Sequence, residues 1–163
     1  RCREGKRDAQ FELYRLYSRA MYNTALRMVQ HPHDAEDLLQ SIFIEVFTKL
    51  DSFRYESTIG AWIKRITINK CINFLKSRRL ALSELTALND RAEESEPEPE
   101  PAYSVEKINR AISNLPDGYR VVFNLYAVEG YDHEEIAQIL GVTEATSKSQ
   151  YSRAKAKLRD ALR

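Results

Sequence analysis

Toward its C-terminal end the chain places Lys148, Ser149, Ser152 and Arg153 at i, i+1, i+4 and i+5, with Thr146 just ahead. On a helix that spacing gathers them on one face near the first turns. Hydroxyls and cations together suit duplex nucleic acid, whose base edges take hydrogen bonds and whose phosphates take positive charge. Lys155, Lys157 and Arg159 come a turn or more later and suit phosphate or solvent, whereas Leu158 and Leu162, four apart, look inward. A solvated amphipathic helix is the blander reading, and the preceding residues argue against it. Asp132-x-x-Glu135 is a capping-box start for a helix through Leu140, with Gly141 at a turn and Thr143 capping the next helix. With Ala137 small enough for close helix contact and Val142 as a core plug, residues 132–159 read as a helix-turn-helix.

A second constellation runs from Ser57 to Ser83. It holds no acid, yet carries Lys64, Arg65, Lys70, Lys76, Arg78 and Arg79. A solvated face usually mixes signs, so a stretch of cations alone implies an anionic partner. Phe53, Tyr55, Trp62 and Phe74 flank or interrupt it. Cations with aromatics suit single-stranded nucleic acid, where bases stack and phosphates pair. Trp62 and Phe74 also lie on the apolar stripe, so core and contact roles stay open for both. Asn69 falls seven residues after Trp62, on the same helix face, with Arg65 between them. A third segment, Asp34 to Gln40, reads as an N-cap at Asp34 with acids in the first turn. Leu38 and Gln40, two apart, must face different sides, and Gln40 is the exposed one.

The elements that position these groups are helical throughout. Apolar residues recur at helical spacing from Phe11 to Val29, as one or two antiparallel helices, and from Leu38 to Leu50. After an irregular Phe53–Gly60, a third pattern runs from Trp62 to Leu75 and closes on Lys76-Ser77-Arg78-Arg79. Its β-branched Ile66-Thr67-Ile68 suits a strand, but more than 15 residues without Gly or Pro favour helix. Glu-Pro repeats within residues 90–102 repel along the chain and deny it helical hydrogen bonds. Structure resumes near Ser104, with one helix to Leu115 and another from Pro116 to Gly130. The fold class is therefore all-α: two small helical domains, 1–80 and 104–163, joined by a flexible acidic linker over 81–103. Charge follows the same division. Residues 1–80 carry 15 lysines and arginines against 9 acids, residues 81–106 one against 8, and residues 107–163 nine against 7.

Other classes fare poorly. No apolar run approaches the roughly 18 residues of a membrane span, and Arg1-Cys2-Arg3-Glu4-Gly5 does not open like a signal peptide. Cys2 and Cys71 stand far apart without metal-ligand spacing, so a reducing cytoplasm is the natural compartment. There is no Gly-rich phosphate loop and no Ser/His/Asp logic, so neither an enzyme nor a cofactor is expected. His31, His33 and His133 fall in a turn and a cap rather than in a ligand cluster.

The order of these segments resembles a known family. Asp34 through Phe43, then Phe53, Trp62 through Asn69, Leu115-Pro116, Tyr119-Arg120, Glu129-Gly130-Tyr131, Glu135 through Ala137, Leu140 through Val142, and Thr146 through Ala154 are similar to extracytoplasmic-function sigma factors, group 4 of the sigma-70 family. The similarity spans nearly the whole chain. It implies an alternative sigma factor that directs promoter-specific initiation. Asp37, Leu38, Gln40 and Ser41 would dock on the clamp helices of the largest subunit of core RNA polymerase. Phe53, Tyr55, Trp62, Lys64, Arg65 and Asn69 would melt and hold the −10 element. Thr146, Lys148, Ser149, Ser152 and Arg153 would read the −35 element. The polymerase β flap, promoter DNA and an anti-sigma factor are the further partners implied.

The chain departs from that pattern where Ala145-Thr146-Ser147 stands for the family's frequent Gly-Thr-Val, and where Lys148 stands for a common Arg. Lys reads guanine less rigidly than Arg, so a different −35 sequence is expected. Two rivals remain. An ordinary helix-turn-helix regulator explains 104–163 but not the first 80 residues. A sigma mimic that only sequesters an anti-sigma factor should have lost its DNA-facing cations, which this chain keeps.

Overall fold

A computed structural model describes residues 5–82 and 104–162, and they are helical, with no strand among the described residues. The chain divides into two compact units, Arg1–Ala81 and Leu82–Arg163. The acidic linker expectation falls mostly on residues 83–103, outside the described residues.

In the first unit, α1 spans Arg7–Val29 as one continuous helix. No Gly or Pro interrupts that stretch, so the alternative of two antiparallel helices is not realised. Gln30 ends it in the left-handed region at φ 68°, with its N–H on the Leu26 carbonyl. The second helix, α2, spans Pro32–Lys49. Asp34 is not its N-cap, as the sequence suggested. Pro32 sits at the first helical position, where its fixed φ and missing N–H cost nothing, and this moves the cap back to His31. Asp34 lies in the first turn, where its charge faces the positive end of the helix dipole. A 3₁₀ turn, Leu50–Ser52, closes α2.

The third helix, α3, spans Ile59–Leu82, three residues beyond the basic cluster expected to end it. Thr58 Oγ1 accepts the Ala61 N–H at 3.1 Å and starts it. A Cβ at Gly60 would lie 3.1 Å from the Tyr17 ring, so glycine lets the start of α3 approach α1. Met21 of α1, Leu39, Ile42, Phe43 and Val46 of α2, and Ile63 and Ile66 of α3 form the shared core. The outer end of α1 lies beyond that core: Phe11 and Leu16 are exposed, although their spacing suggested burial.

In the second unit, α4 spans Val105–Ser113, and its Ser104 cap accepts the Lys107 N–H. Helix α5, Asp117–Phe123, runs on into a π-helical turn at Asn124–Val128. Helix α6 spans His133–Leu140 and α7 spans Glu144–Ala161. Both halves of the Asp132–Glu135 capping box form. Gly141 takes φ +68°, the left-handed conformation glycine adopts without penalty, and the Val142 N–H closes the turn on the Ala137 carbonyl. The Val142 side chain points out and is exposed, so it is not the plug expected. Ile136, on α6, is fully buried instead.

Ala111, Leu115, Ala154 and Leu158 form the core that holds the second half of α7. Arg120 is buried but satisfied: it donates to the Leu115 carbonyl at 3.0 Å and pairs with Asp117 at 2.6 Å.

Candidate nucleic-acid interfaces

Helix α7 has one inward and one outward face. Ser147, Ala154 and Leu158 are buried, while Thr146, Lys148, Ser149 and Ser152 are exposed and Arg153 is half-buried. The five residues expected to read DNA thus share the outer side, toward the helix start. Thr143 fixes that start, since its Oγ1 accepts the Thr146 N–H at 3.1 Å and lies 2.8 Å from the Thr146 hydroxyl. Lys148 pairs with Glu144 at 3.3 Å, with both side chains largely in water. Such a pair is weak and leaves Lys148 able to exchange Glu144 for another anion.

Tyr151 packs against the unit rather than facing outward. It lies in an aromatic cluster with Phe123, Tyr126 and His133, at 5.9, 4.5 and 5.7 Å between ring centres. Burial pushes its phenol up, with Tyr126 adding to the effect. Lys155 Nζ lies 4.9 Å over the Tyr151 ring and Lys157 Nζ 5.6 Å over Tyr119, so both cations lean back on the unit.

In the first unit, a short loop between the 3₁₀ turn and α3 carries the aromatic candidates. Phe53 is 7% exposed and therefore cannot present its ring to a base, contrary to its assignment as a DNA contact. It forms a floor: its ring lies 4.7 Å from Tyr55 and 5.3 Å from Trp62. Above that floor Tyr55 is 73% exposed at φ 59°. A non-glycine residue held in the left-handed region costs energy and marks a functional candidate. On α3, Trp62 and Phe74 are half-buried, which combines the core and contact readings. Lys64 and Arg65 are half-buried and Asn69 is exposed.

The cationic stretch is less uniform than its sequence. Lys70 pairs with Glu45 of α2 at 3.1 Å, and Lys49 shares the same carboxylate. Those hydrogen bonds, Lys49 first, hold the Glu45 carboxyl below its usual range. Lys70 is therefore part of the α2–α3 contact. On α2 itself, Asp37, Gln40 and Ser41 are exposed, whereas Leu38 packs on the core cluster. Leu38 thus lies beneath, while the other three face solvent.

The sequence reasoning missed the pair formed by His133 Nδ1 and Ser147 Oγ, 2.8 Å apart. Ser147 is fully buried, and the His133 ring stacks on Tyr126 at 4.4 Å and 15°. The one available signal was a serine at an inward position of an otherwise apolar helix face.

A basic helical unit with an aromatic loop, followed by a capped helix-turn-helix, has the makings of a DNA-binding protein. Residues 13–81 match Sigma-70 region 2, and residues 106–158 match Sigma-70, region 4. The chain is 31% identical over 134 residues to the ECF RNA polymerase sigma-E factor of Escherichia coli (strain K12), covering 75% of this chain and 70% of that protein. It is 33% identical over 156 residues to the ECF RNA polymerase sigma factor SigE of Mycolicibacterium smegmatis, covering 93% of this chain but 60% of that longer protein. In fold it is similar to the sigma factor RpoE solved in complex with the anti-sigma factor NepR from Bartonella quintana, with TM-score 0.64, 24% identity, and 96% and 98% of the two chains covered. The chain belongs to the RNA polymerase sigma factor family, whose members act in promoter recognition and transcription initiation.

Proposed function

We propose that this chain is a group 4, extracytoplasmic-function sigma factor that binds core RNA polymerase and directs it to promoters through both −10 and −35 elements. It acts without enzymatic activity, in the cytoplasm. The ridge of Asp37, Gln40 and Ser41, backed by Leu38, docks on the clamp helices of the largest subunit. Tyr55, Trp62, Lys64, Arg65 and Asn69 hold the −10 strand, with Phe53 beneath them. Thr146, Lys148, Ser149, Ser152 and Arg153 read the −35 duplex, while the second unit seats on the β flap. An anti-sigma factor is the expected regulator, as RpoE has NepR. The domains are 1–80 and 104–163, with 81–103 as the linker between them.

One observation carries this reading: a single chain holds two different sets of side chains whose chemistry suits nucleic acid. An exposed aromatic in strained backbone beside cations suits an opened strand. A capped helix with outward hydroxyls and cations suits a closed major groove. In-vitro transcription with core polymerase on a promoter library is the test. The chain should produce transcripts from a defined promoter subset that core alone does not produce. Transcripts without promoter preference would refute the reading.

A further inference from the structure

Helix α7 is held differently at its two ends. Its second half is clamped by apolar contact, Ala154 and Leu158 against Ala111 and Leu115. Its first half, which carries the proposed base-reading residues, is held by Tyr151 in its aromatic cluster, and the inward position nearer the helix start is a serine. Ser147 is 0% exposed, and a hydroxyl taken fully out of water needs a partner. That partner is His133, in the first turn of α6, with Nδ1 2.8 Å from Oγ. The imidazole is itself fixed, stacked on Tyr126 from the π-helical turn and near Tyr151 one turn further along α7.

We infer that His133 is a positioning residue for base readout: its hydrogen bond to Ser147 sets the roll of the reading end of α7 about the helix axis. The inference rests on the −35 reading proposed above. Successive residues on a helix are about 100° apart. Thr146 and Lys148 therefore flank Ser147 on either side, and Ser149 lies nearly opposite it. A change in what Ser147 packs against rotates all three together. Apolar packing at this position would tolerate a range of roll angles, whereas a hydrogen bond to an anchored ring selects one. The role is distinct from DNA contact, since Ser147 is buried and faces away from the readers.

The test uses the full chain assembled with core polymerase, on promoters that vary only in the −35 element. His133→Phe keeps an aromatic ring for the Tyr126 stack but leaves Ser147 unpaired. It should reduce the ratio of binding to preferred and singly mismatched promoters by about fivefold to tenfold, within the range one base pair controls. The salt dependence should stay unchanged, because phosphate contacts are not touched. His133→Asn, whose amide can take the place of Nδ1, should restore discrimination. Adding Ser147→Ala to His133→Phe should bring no further loss. Unchanged discrimination in His133→Phe, or additive losses in the double variant, overturns the inference. Loss of helicity in both His133 variants overturns it as well, since His133 would then support the fold generally. If the unaltered holoenzyme shows no −35 preference, the proposed −35 reading itself fails.

Discussion

Replacing Arg153 with alanine should separate base reading from phosphate anchoring in α7. Arg153 lies on the outer side with Ser149 and Ser152 and is half-buried. A guanidinium placed in this way contacts a base bidentately, which is worth about 1–3 kcal/mol of discrimination. The corresponding loss in affinity is about 5- to 150-fold on the preferred duplex. On duplexes that lack the matched base, the loss should be small. Lys157 is the control. Its ammonium lies over the Tyr119 ring, on the unit rather than beyond it. Lys157→Ala should therefore weaken every duplex alike and lower the salt slope by at most about one phosphate's worth. Binding is measured on −35 duplexes of systematically varied sequence at several salt concentrations. If Arg153→Ala lowers affinity equally on all of them, Arg153 is a phosphate anchor and the base-reading face is misplaced.

Four further outcomes are expected. Gln40→Ala, or reversal of charge at Asp37, should weaken core polymerase binding measured by pull-down while helicity persists, because both side chains are exposed. Substituting Asn69 should alter preference at one or two −10 positions in a promoter-variant assay and leave −35 duplex binding intact; unchanged preference would assign Asn69 a structural role. Glu45 has a depressed carboxyl, so its contribution is complete above the ordinary value of about 4.3 and fades as pH falls through the lower folded value. The stability gap between the unaltered chain and Glu45→Gln, at most about 1 kcal/mol after solvent screening, should therefore narrow in acid-unfolding curves as pH falls below the ordinary carboxylate range. The thiol of Cys71, buried and pushed up to about 12, should resist alkylation at pH 8 until the first unit unfolds, as followed by mass spectrometry.

The helix starts at Ser104, Asp132 and Thr143 were legible because a cap is local chemistry: an acceptor side chain meets an N–H two or three residues on. Gly141 was legible for the same reason. What escaped depends on how side chains pack once the chain has folded. Lys70 reads as one more cation until α2 brings Glu45 against it. Phe53 reads as one more stacking aromatic until the loop folds it under Tyr55 and Trp62. The π-helical turn has no composition signal, yet it places Tyr126 beneath His133, fourteen residues before Ser147. The candidate site was thus legible as a set of residue types. Which of them face outward was decided by packing.

That division has a mechanical consequence for the two surfaces. Reading a duplex requires a rigid ruler, because base-edge hydrogen bonds fail with small errors in position. On the proposed reading, the first half of α7 meets that demand through Thr143 at its start and His133 behind it, both directional contacts. Holding an opened strand requires something else, since any base offers a face for stacking. The first unit supplies an exposed ring on a short loop, with strain at Tyr55 supported by a buried floor at Phe53. Disturbing the floor should therefore release Tyr55 to ordinary backbone and weaken strand capture without altering duplex reading. Disturbing the ruler should do the reverse.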